Sequence, residues 1–187
     1  MNSFFVRFID FFGAVLGLLI AAPLFLIIFF LGVIDTGHPI FLQERVGKNK
    51  KPFKLFKFRT MSLDTESVAT HLVKASSVTR FGSFLRKTKL DELPQLLNVL
   101  RGEMSFVGPR PCLFNQDILI LERDKRNVFD VRPGITGLAQ IREIDMSTPK
   151  LLAKVDSEMI KEFSVRMYFS LIFKTISGSG SGDRVKN

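Results

Sequence analysis

The sequence has very few of the residues that build disulfides, cysteine metal clusters or histidine sites. Cys112 is the single cysteine, so no disulfide can form within the chain and no cysteine cluster can hold a metal. A single thiol suits a reducing compartment such as the cytoplasm. The two histidines, His38 and His71, lie far apart in the sequence, which argues against a histidine-rich metal site and against a Ser-His-Asp triad.

Acidic residues are also scarce relative to basic ones. The 187 residues include 27 Lys and Arg against 18 Asp and Glu, a formal net charge of +9. Such a charge favours anionic partners, namely nucleic acid, anionic lipid headgroups or phosphorylated substrates. The mean hydropathy of +0.20 and the 20 phenylalanines favour a membrane setting. The length suits one domain, with room for an appendage.

The longest uncharged stretch lies near the N-terminus. Residues 11–34, FFGAVLGLLIAAPLFLIIFFLGVI, are long enough to cross the hydrocarbon core of a bilayer. Hydropathy alone predicts a straight transmembrane anchor, whereas Pro23 removes a helical hydrogen bond near the middle and would allow the chain to return to the face it entered. The Lys and Arg residues between 45 and 59 place the body of the protein in the cytoplasm. Both topologies stay open.

The pattern after residue 37 predicts short strands followed by helices. Residues 40–58 alternate apolar and polar side chains, which predicts a β-hairpin with a polar turn at 47–51. The spacing supports two interpretations equally. In one the hairpin is solvated or binds lipid; in the other Gln43, Arg45, Lys57 and Arg59 face a phosphate site. Residues 64–78 are predicted to form a surface loop, and the Gly/Pro-rich SFVGPRP and VRPGITGLAQ to be loops as well.

Helical spacing predicts four amphipathic segments. Two short ones lie around residues 81–85 and 93–100, the second ended by Gly102. Two more lie at 151–162 and 165–176, either as core helices or as helices in the membrane interface.

Asp91 and Glu92 form an adjacent acid pair in LDELPQLLNVLRGEMSFVGPRP. One explanation is structural, because acids at a helix N-terminus gain about 0.3–1 kcal/mol each from the helix dipole. The other is chemical, because carboxylates can hold Mg²⁺ while Arg86, Arg110 and Arg132 bind phosphate oxygens. One carboxylate could then attack phosphorus and form an aspartyl-phosphate intermediate.

Four motifs, FLQERVG, FKLFKFRTM, the acid-pair segment and VRPGITGLAQ, resemble those of the small monotopic phosphoglycosyl transferases in order and spacing. This is the bacterial sugar transferase family that primes glycan synthesis on polyprenyl phosphate. The resemblance implies an α+β, mainly helical, membrane-associated fold with a re-entrant helix broken at Pro23, a small β-hairpin and interfacial amphipathic helices. The expected organisation is a membrane helix over 1–36, a catalytic domain over 37–176 and a flexible tail over 177–187. The expected location is the cytoplasmic face of the bacterial inner membrane.

The same resemblance implies a ping-pong reaction. Asp91 would be the nucleophile that takes a phosphosugar from a UDP-sugar and releases UMP, while Glu92 would assist with Mg²⁺ and proton handling. Polyprenyl phosphate would then accept the phosphosugar and so start glycan assembly. Arg110 corresponds to a phosphate-binding arginine, with Arg86 and Arg132 as companions.

The expected partners are UDP-sugar, polyprenyl phosphate and membrane lipid, and self-association into a homo-oligomer is allowed. A non-catalytic, membrane-anchored scaffold that binds anionic lipid is the alternative. Nucleic-acid binding would explain the charge but neither the apolar segment nor the acid pair, and no nucleic acid is expected.

Overall fold

A single long helix, α1 (Phe4–Thr36), takes up the N-terminal apolar stretch in the computed structural model, which describes residues 3–63 and 77–178. The Ser3 hydroxyl caps its first turn by accepting from the Val6 amide, and Gly37 ends it in the left-handed conformation at a φ of 75°. Helical structure continues through Pro23, so the expected break is not an interruption of the helix. Residues 64–76 of the predicted surface loop (64–78) and residues 179–187 of the predicted tail (177–187) lie outside the described residues.

The two ends of α1 pack against the rest of the protein, and its middle does not. Val6, Asp10 and Ala14 are buried near the start, and Ile28 and Gly32 near the end. By contrast, five of the six residues from 19 to 24 are exposed. The helix has the length and the apolar composition to cross a membrane.

The predicted hairpin is confirmed. Strands β1 (Ile40–Val46) and β2 (Pro52–Phe58) pair antiparallel, with Gln43 opposite Leu55 and Phe41 opposite Lys57. A short 3₁₀ turn, Lys48–Lys50, joins them. Alternation along β2 turns Phe53, Leu55 and Lys57 inward, so a lysine occupies a position on the buried face of the hairpin.

The acid pair lies between two helices. The helix α2 (Arg80–Thr88) is followed by a 3₁₀ turn, Leu90–Glu92, and then by α3 (Gln95–Arg101). Both helices were expected, and Gly102 ends α3 at a φ of 81° as predicted. The acids therefore precede α3 in a turn of their own and do not belong to its first turn, which corrects the structural explanation for them.

The prediction that SFVGPRP and VRPGITGLAQ contain no regular structure is wrong. Strands β3 (Ser105–Val107) and β4 (Gly134–Thr136) form a parallel pair. Their backbones approach so closely that a Cβ on Gly134 would overlap the amide nitrogen of Gly108. Glycine at both positions makes this pairing sterically possible.

Besides a 3₁₀ turn at Val128–Asp130, four further α-helices complete the described chain. They are α4 (Asp117–Asp124), α5 (Leu138–Ile141), α6 (Pro149–Lys161) and α7 (Val165–Ile176). The last two were predicted, and α6 is a core helix that packs against α4. One face of α7 buries Tyr168 and Leu171 near Val6 of α1, while its other face leaves Phe173 71% exposed. The described chain is thus mixed helix and strand, mainly helical, as predicted.

Candidate active site

Glu92 lies between two basic side chains that come from distant parts of the chain. Its Oε1 is 3.4 Å from Lys57 Nζ and 3.4 Å from both Arg110 Nη1 and Nη2. All three side chains are largely withdrawn from solvent, with Arg110 the most exposed at 20%. The cluster thus holds two cations against one carboxylate in a partly desolvated setting, where charge interactions are stronger than in water.

Asp91 is buried beside this cluster, with 3% of its surface exposed. The 3₁₀ turn that carries it packs against β2 and α2. Lys89 joins α2 to the turn in the left-handed conformation, at a φ of 59°, and its amide donates to the Leu85 and Arg86 carbonyls in the last turn of α2. This uncommon conformation for a non-glycine residue redirects the chain sharply, which brings the two acids over the inward face of β2.

The inward face of the hairpin supplies the remaining basic group. Arg45 is 6% exposed and donates to the Gln43 side-chain oxygen and, over 3.0 Å, to the Pro111 carbonyl. Arg45, Lys57 and Arg110 line one cavity, together with Leu55, Gln95, Pro111 and Gly134. The fold therefore gathers Gln43, Arg45, Lys57, Glu92 and Arg110 from four separate segments.

Two arginines that were predicted to join the phosphate site instead donate hydrogen bonds to backbone carbonyls in other parts of the fold. Arg132 Nε donates to the Gly102 carbonyl over 2.8 Å, at the end of α3 that lies away from the acid pair. Arg59 Nε donates to the His38 carbonyl over 3.0 Å. Each arginine provides a hydrogen-bond donor for a carbonyl at or just after the C-terminal end of a helix, a common use of arginine. Within the described residues, neither contact brings its guanidinium to the Glu92 cluster.

Arg86 links two segments that lead to the site. It lies on α2, and its Nε donates to Thr60 Oγ1 over 2.8 Å, two residues beyond the end of β2. It thereby ties α2, which leads into the acid turn, to the segment that follows Lys57.

Sequence reasoning missed two amides of α3. Asn98 is fully buried; its Oδ1 accepts from the Phe56 amide over 3.0 Å and its Nδ2 donates to the Lys54 carbonyl over 2.7 Å. It therefore fixes α3 against β2, the strand that carries Lys57. Gln95 lines the cavity. Their three-residue spacing in a helix whose other residues, except the terminal Arg101, are apolar is the signal that the sequence offers.

The site offers donors suited to phosphate oxygens and carboxylates of the kind that bind a hard cation. Arg45, Lys57 and Arg110 provide ammonium and guanidinium donors for phosphate oxygens. Asp91 and Glu92 are adjacent oxygen donors, and Mg²⁺ commonly uses one or two carboxylates together with substrate phosphates. The described residues contain no cluster of three or more His, Cys, Asp or Glu that could hold a metal ion. These donors suit the phosphate oxygens of a nucleoside diphosphate, with two carboxylates available to a divalent cation.

Comparison with known proteins gives consistent matches over nearly the whole chain. Residues 1–180 match the family model for bacterial sugar transferases. The exopolysaccharide production protein PSS of Rhizobium leguminosarum bv. phaseoli is 38% identical over 192 residues, covering 94% of this chain and 95% of that protein. A UDP-galactose-lipid carrier transferase of Erwinia amylovora is 36% identical over 195 residues, covering 94% of this chain and 40% of that protein.

A third relative is named for its full reaction. The UDP-N-acetylgalactosamine-undecaprenyl-phosphate N-acetylgalactosaminephosphotransferase of Aeromonas hydrophila is 35% identical over 185 residues, covering 93% of this chain and 43% of that protein. The chain thus spans almost all of the Rhizobium relative and about two fifths of the other two.

Proposed function

Because the chain belongs to the bacterial sugar transferase family, we propose that it transfers a phosphosugar from a UDP-sugar to polyprenyl phosphate and releases UMP. The observation that carries this proposal is the acid pair set against Lys57 and Arg110, with Glu92 Oε1 3.4 Å from both basic groups. The names of the Erwinia and Aeromonas relatives, a UDP-linked sugar and a lipid carrier, support the substrate classes.

Asp91 is the nucleophile in this proposal. A carboxylate oxygen attacks the phosphorus that bears the sugar, and the bond from that phosphorus to the bridging oxygen breaks. The bridging oxygen leaves with the electron pair as part of UMP, and the phosphosugar stays on Asp91 as an acyl phosphate. A phosphate oxygen of polyprenyl phosphate then attacks the same phosphorus and returns Asp91 to the carboxylate. The anionic nucleophile and the anionic donor repel each other, so the step needs positive charge nearby.

Lys57, Arg110 and Arg45 supply that charge. In the absence of substrate Glu92 balances Lys57 and Arg110, and a bound diphosphate would take over these two groups. Asp91 and Glu92 would hold Mg²⁺, which when bound neutralises charge on the phosphates. Once the diphosphate has displaced Glu92 from Lys57 and Arg110, its carboxylate is available to bind the cation. Glu92 thus pairs with the basic groups before substrate binds and holds the cation afterwards.

The packing of α1 supports a re-entrant arrangement at the cytoplasmic face of the inner membrane. A helix of 33 residues is about 50 Å long if straight, and a spanning helix would carry one end about 30 Å away from the catalytic body. Yet Val6 and Ile28, near opposite ends, are both buried against the body, whereas five of the six residues from 19 to 24, around Pro23, are exposed. A bend at Pro23 lets the exposed middle enter the apolar phase while both ends stay at the same surface. The exposed face of α7 beside the start of α1 fits an interfacial helix.

UMP release from a panel of UDP-sugars, with Mg²⁺ and polyprenyl phosphate, tests the proposed activity. Intact-mass analysis without the acceptor should show a phosphosugar adduct on the wild-type chain and none on Asp91→Asn. The control is Asp124→Asn, which removes an acid whose side chain is 51% exposed on the surface. No UMP with any sugar in the panel would favour the lipid-binding scaffold, and an adduct that persists in Asp91→Asn would place the nucleophile elsewhere.

Labelling of two introduced cysteines tests the topology. Asn2→Cys stands two residues before α1 in the sequence, and Lys51→Cys lies in the exposed turn of the hairpin. A membrane-impermeant maleimide should label both only from the cytoplasmic side. Labelling of position 2 from the periplasmic side would establish a spanning helix.

A further inference from the structure

The loop at 108–112, which carries Arg110, is held by its backbone carbonyls. Four consecutive carbonyls accept hydrogen bonds from β4, α4 and β1: Pro109 from the Gly134 amide (3.0 Å), Arg110 from Arg123 Nη1 (2.8 Å), Pro111 from Arg45 Nη1 (3.0 Å) and Cys112 from the Val46 amide (2.9 Å). The two prolines also fix φ on either side of Arg110. The backbone on both sides of Arg110 is therefore restrained.

The donor to the Arg110 carbonyl is a buried guanidinium that is also paired with a buried carboxylate. Arg123 is 1% exposed, and its Nε and Nη2 donate to Asp156 Oδ2 over 3.0 and 2.7 Å. One edge of the guanidinium thus holds Asp156 of α6, and Nη1 holds the Arg110 carbonyl. Although burial opposes its charge, Asp156 keeps the pKa of Arg123 above its ordinary value.

Stability alone is a weak reason for such a pair. Removing two charges from water costs several kcal/mol per ion, and apolar residues of similar volume often replace a buried ion pair without loss of stability. An apolar replacement would, however, leave the Arg110 carbonyl without the donor that Arg123 provides. The planar guanidinium of Arg123 thus connects a buried ion pair, which is costly to desolvate, to the Arg110 carbonyl of the loop.

We propose that Arg123 and Asp156 are positioning residues that fix the main chain of Arg110, and through it the approach of the Arg110 guanidinium to Glu92 and to the donor diphosphate. The catalytic part of this inference rests on the proposed function. Misplacement of a phosphate-binding group by about 1 Å can cost roughly 100-fold in rate. Loss of the bond to the Arg110 carbonyl should therefore lower the rate of transfer.

Arg123→Lys tests the inference because it keeps a positive charge for Asp156 but loses the planar fork that reaches two partners at once. Arg126→Lys is the matched control: Arg126 lies three residues further on, its side chain is 33% exposed, and it pairs with Glu122 of α4. Hydrogen exchange of the peptide covering 108–113 should accelerate in Arg123→Lys and stay unchanged in Arg126→Lys. This readout requires no activity.

A double-mutant cycle with Arg110→Ala then asks whether the effect on turnover passes through Arg110. Arg123→Lys should lower kcat/KM for UMP release by about tenfold to 100-fold in the wild-type background and by less than about twofold in the Arg110→Ala background. A general loss of folding would lower both equally. Equal losses, or unchanged exchange of the loop, would overturn the inference. If Arg123→Lys exchanged faster but the wild-type chain released no UMP, the structural restraint on the loop would be supported and the proposed function refuted.

Discussion

Glu92→Gln is expected to strengthen UDP binding in metal-free buffer and to abolish efficient transfer. Glu92 Oε1 lies 3.4 Å from Lys57 Nζ and from the Arg110 guanidinium, so it occupies the two groups that a diphosphate would bind. A neutral amide competes for them less well, which favours the diphosphate. The same amide is a poor magnesium ligand and accepts no proton, so turnover should fall.

The magnitude follows from these distances. Two unit charges 3.4 Å apart interact by about 5 kcal/mol at an effective dielectric constant of about 20. Exchange with water reduces this to about 1.5–3 kcal/mol for a charged hydrogen bond, against about 0.5–1.5 kcal/mol for a neutral one. Since 3.4 Å is long for a hydrogen bond, we take the lower end, about 1.5 kcal/mol over both contacts. The Kd for UDP should therefore fall by about tenfold.

Calorimetric titration of UDP into the full chain in neutral-lipid nanodiscs with EDTA measures this Kd. Glu158→Gln is the control, because it removes one acid that lies 3.7 Å from Arg142 on the surface and changes the net charge by the same amount. Unchanged or weaker UDP binding in Glu92→Gln would refute competition by Glu92. An equal gain in Glu158→Gln would show that net charge alone is responsible.

Four further predictions concern stability and reactivity. Tyr168→Phe should lower the free energy of unfolding by about 1.5–3 kcal/mol in chemical denaturation, because it removes the buried 2.7 Å hydrogen bond to Asp10; an unchanged value would contradict this. Burial and the bond to Asp10 raise the pKa of Tyr168 above its ordinary 10.0, so the unfolded chain releases a proton that the folded chain keeps. Stability should therefore fall as the pH rises above about 10, with a smaller slope in Tyr168→Phe. Burial raises the pKa of the fully buried Cys112 thiol, so maleimide should label it only after unfolding, and rapid labelling of the folded protein would show that it is accessible. Gly134→Ala should lower the melting temperature, since its Cβ would overlap Gly108; a wild-type value would contradict the close strand approach.

The hairpin and the amphipathic helices could be predicted because their signals are local. Alternation over residues 40–58 specifies β1 and β2, and Gly102 specifies the end of α3. The parallel pair of β3 and β4 could not be predicted, because its strands have three residues each and pair across a long separation in the sequence. The glycines that permit their approach are the residues that usually indicate loops.

The candidate site was predictable only in part for a related reason. Asp91, Glu92 and Arg110 lie in one recognisable segment, and the inward alternation of β1 and β2 adds Arg45 and Lys57. The pairing of Arg123 with Asp156 joins residues 33 apart in sequence. Arg123 stands in LERDKR, which reads as an exposed charge run, and no local pattern distinguishes it from its neighbours.

The apolar helix α1 also supports the site, because it carries two polar residues that contact the body of the protein. Arg7 donates to the Val99 and Leu100 carbonyls over 2.6 and 2.8 Å, at the end of α3, and Asp10 accepts from the Phe106 amide of β3 over 3.0 Å. The acid turn precedes α3, and the loop of Arg110 follows β3, so α1 braces the two segments that converge at the site. An unrelated apolar helix of equal length would attach the domain to a bilayer but leave α3 and β3 without these contacts. A variant in which such a helix replaces α1 should therefore attach to the membrane but fail to catalyse transfer.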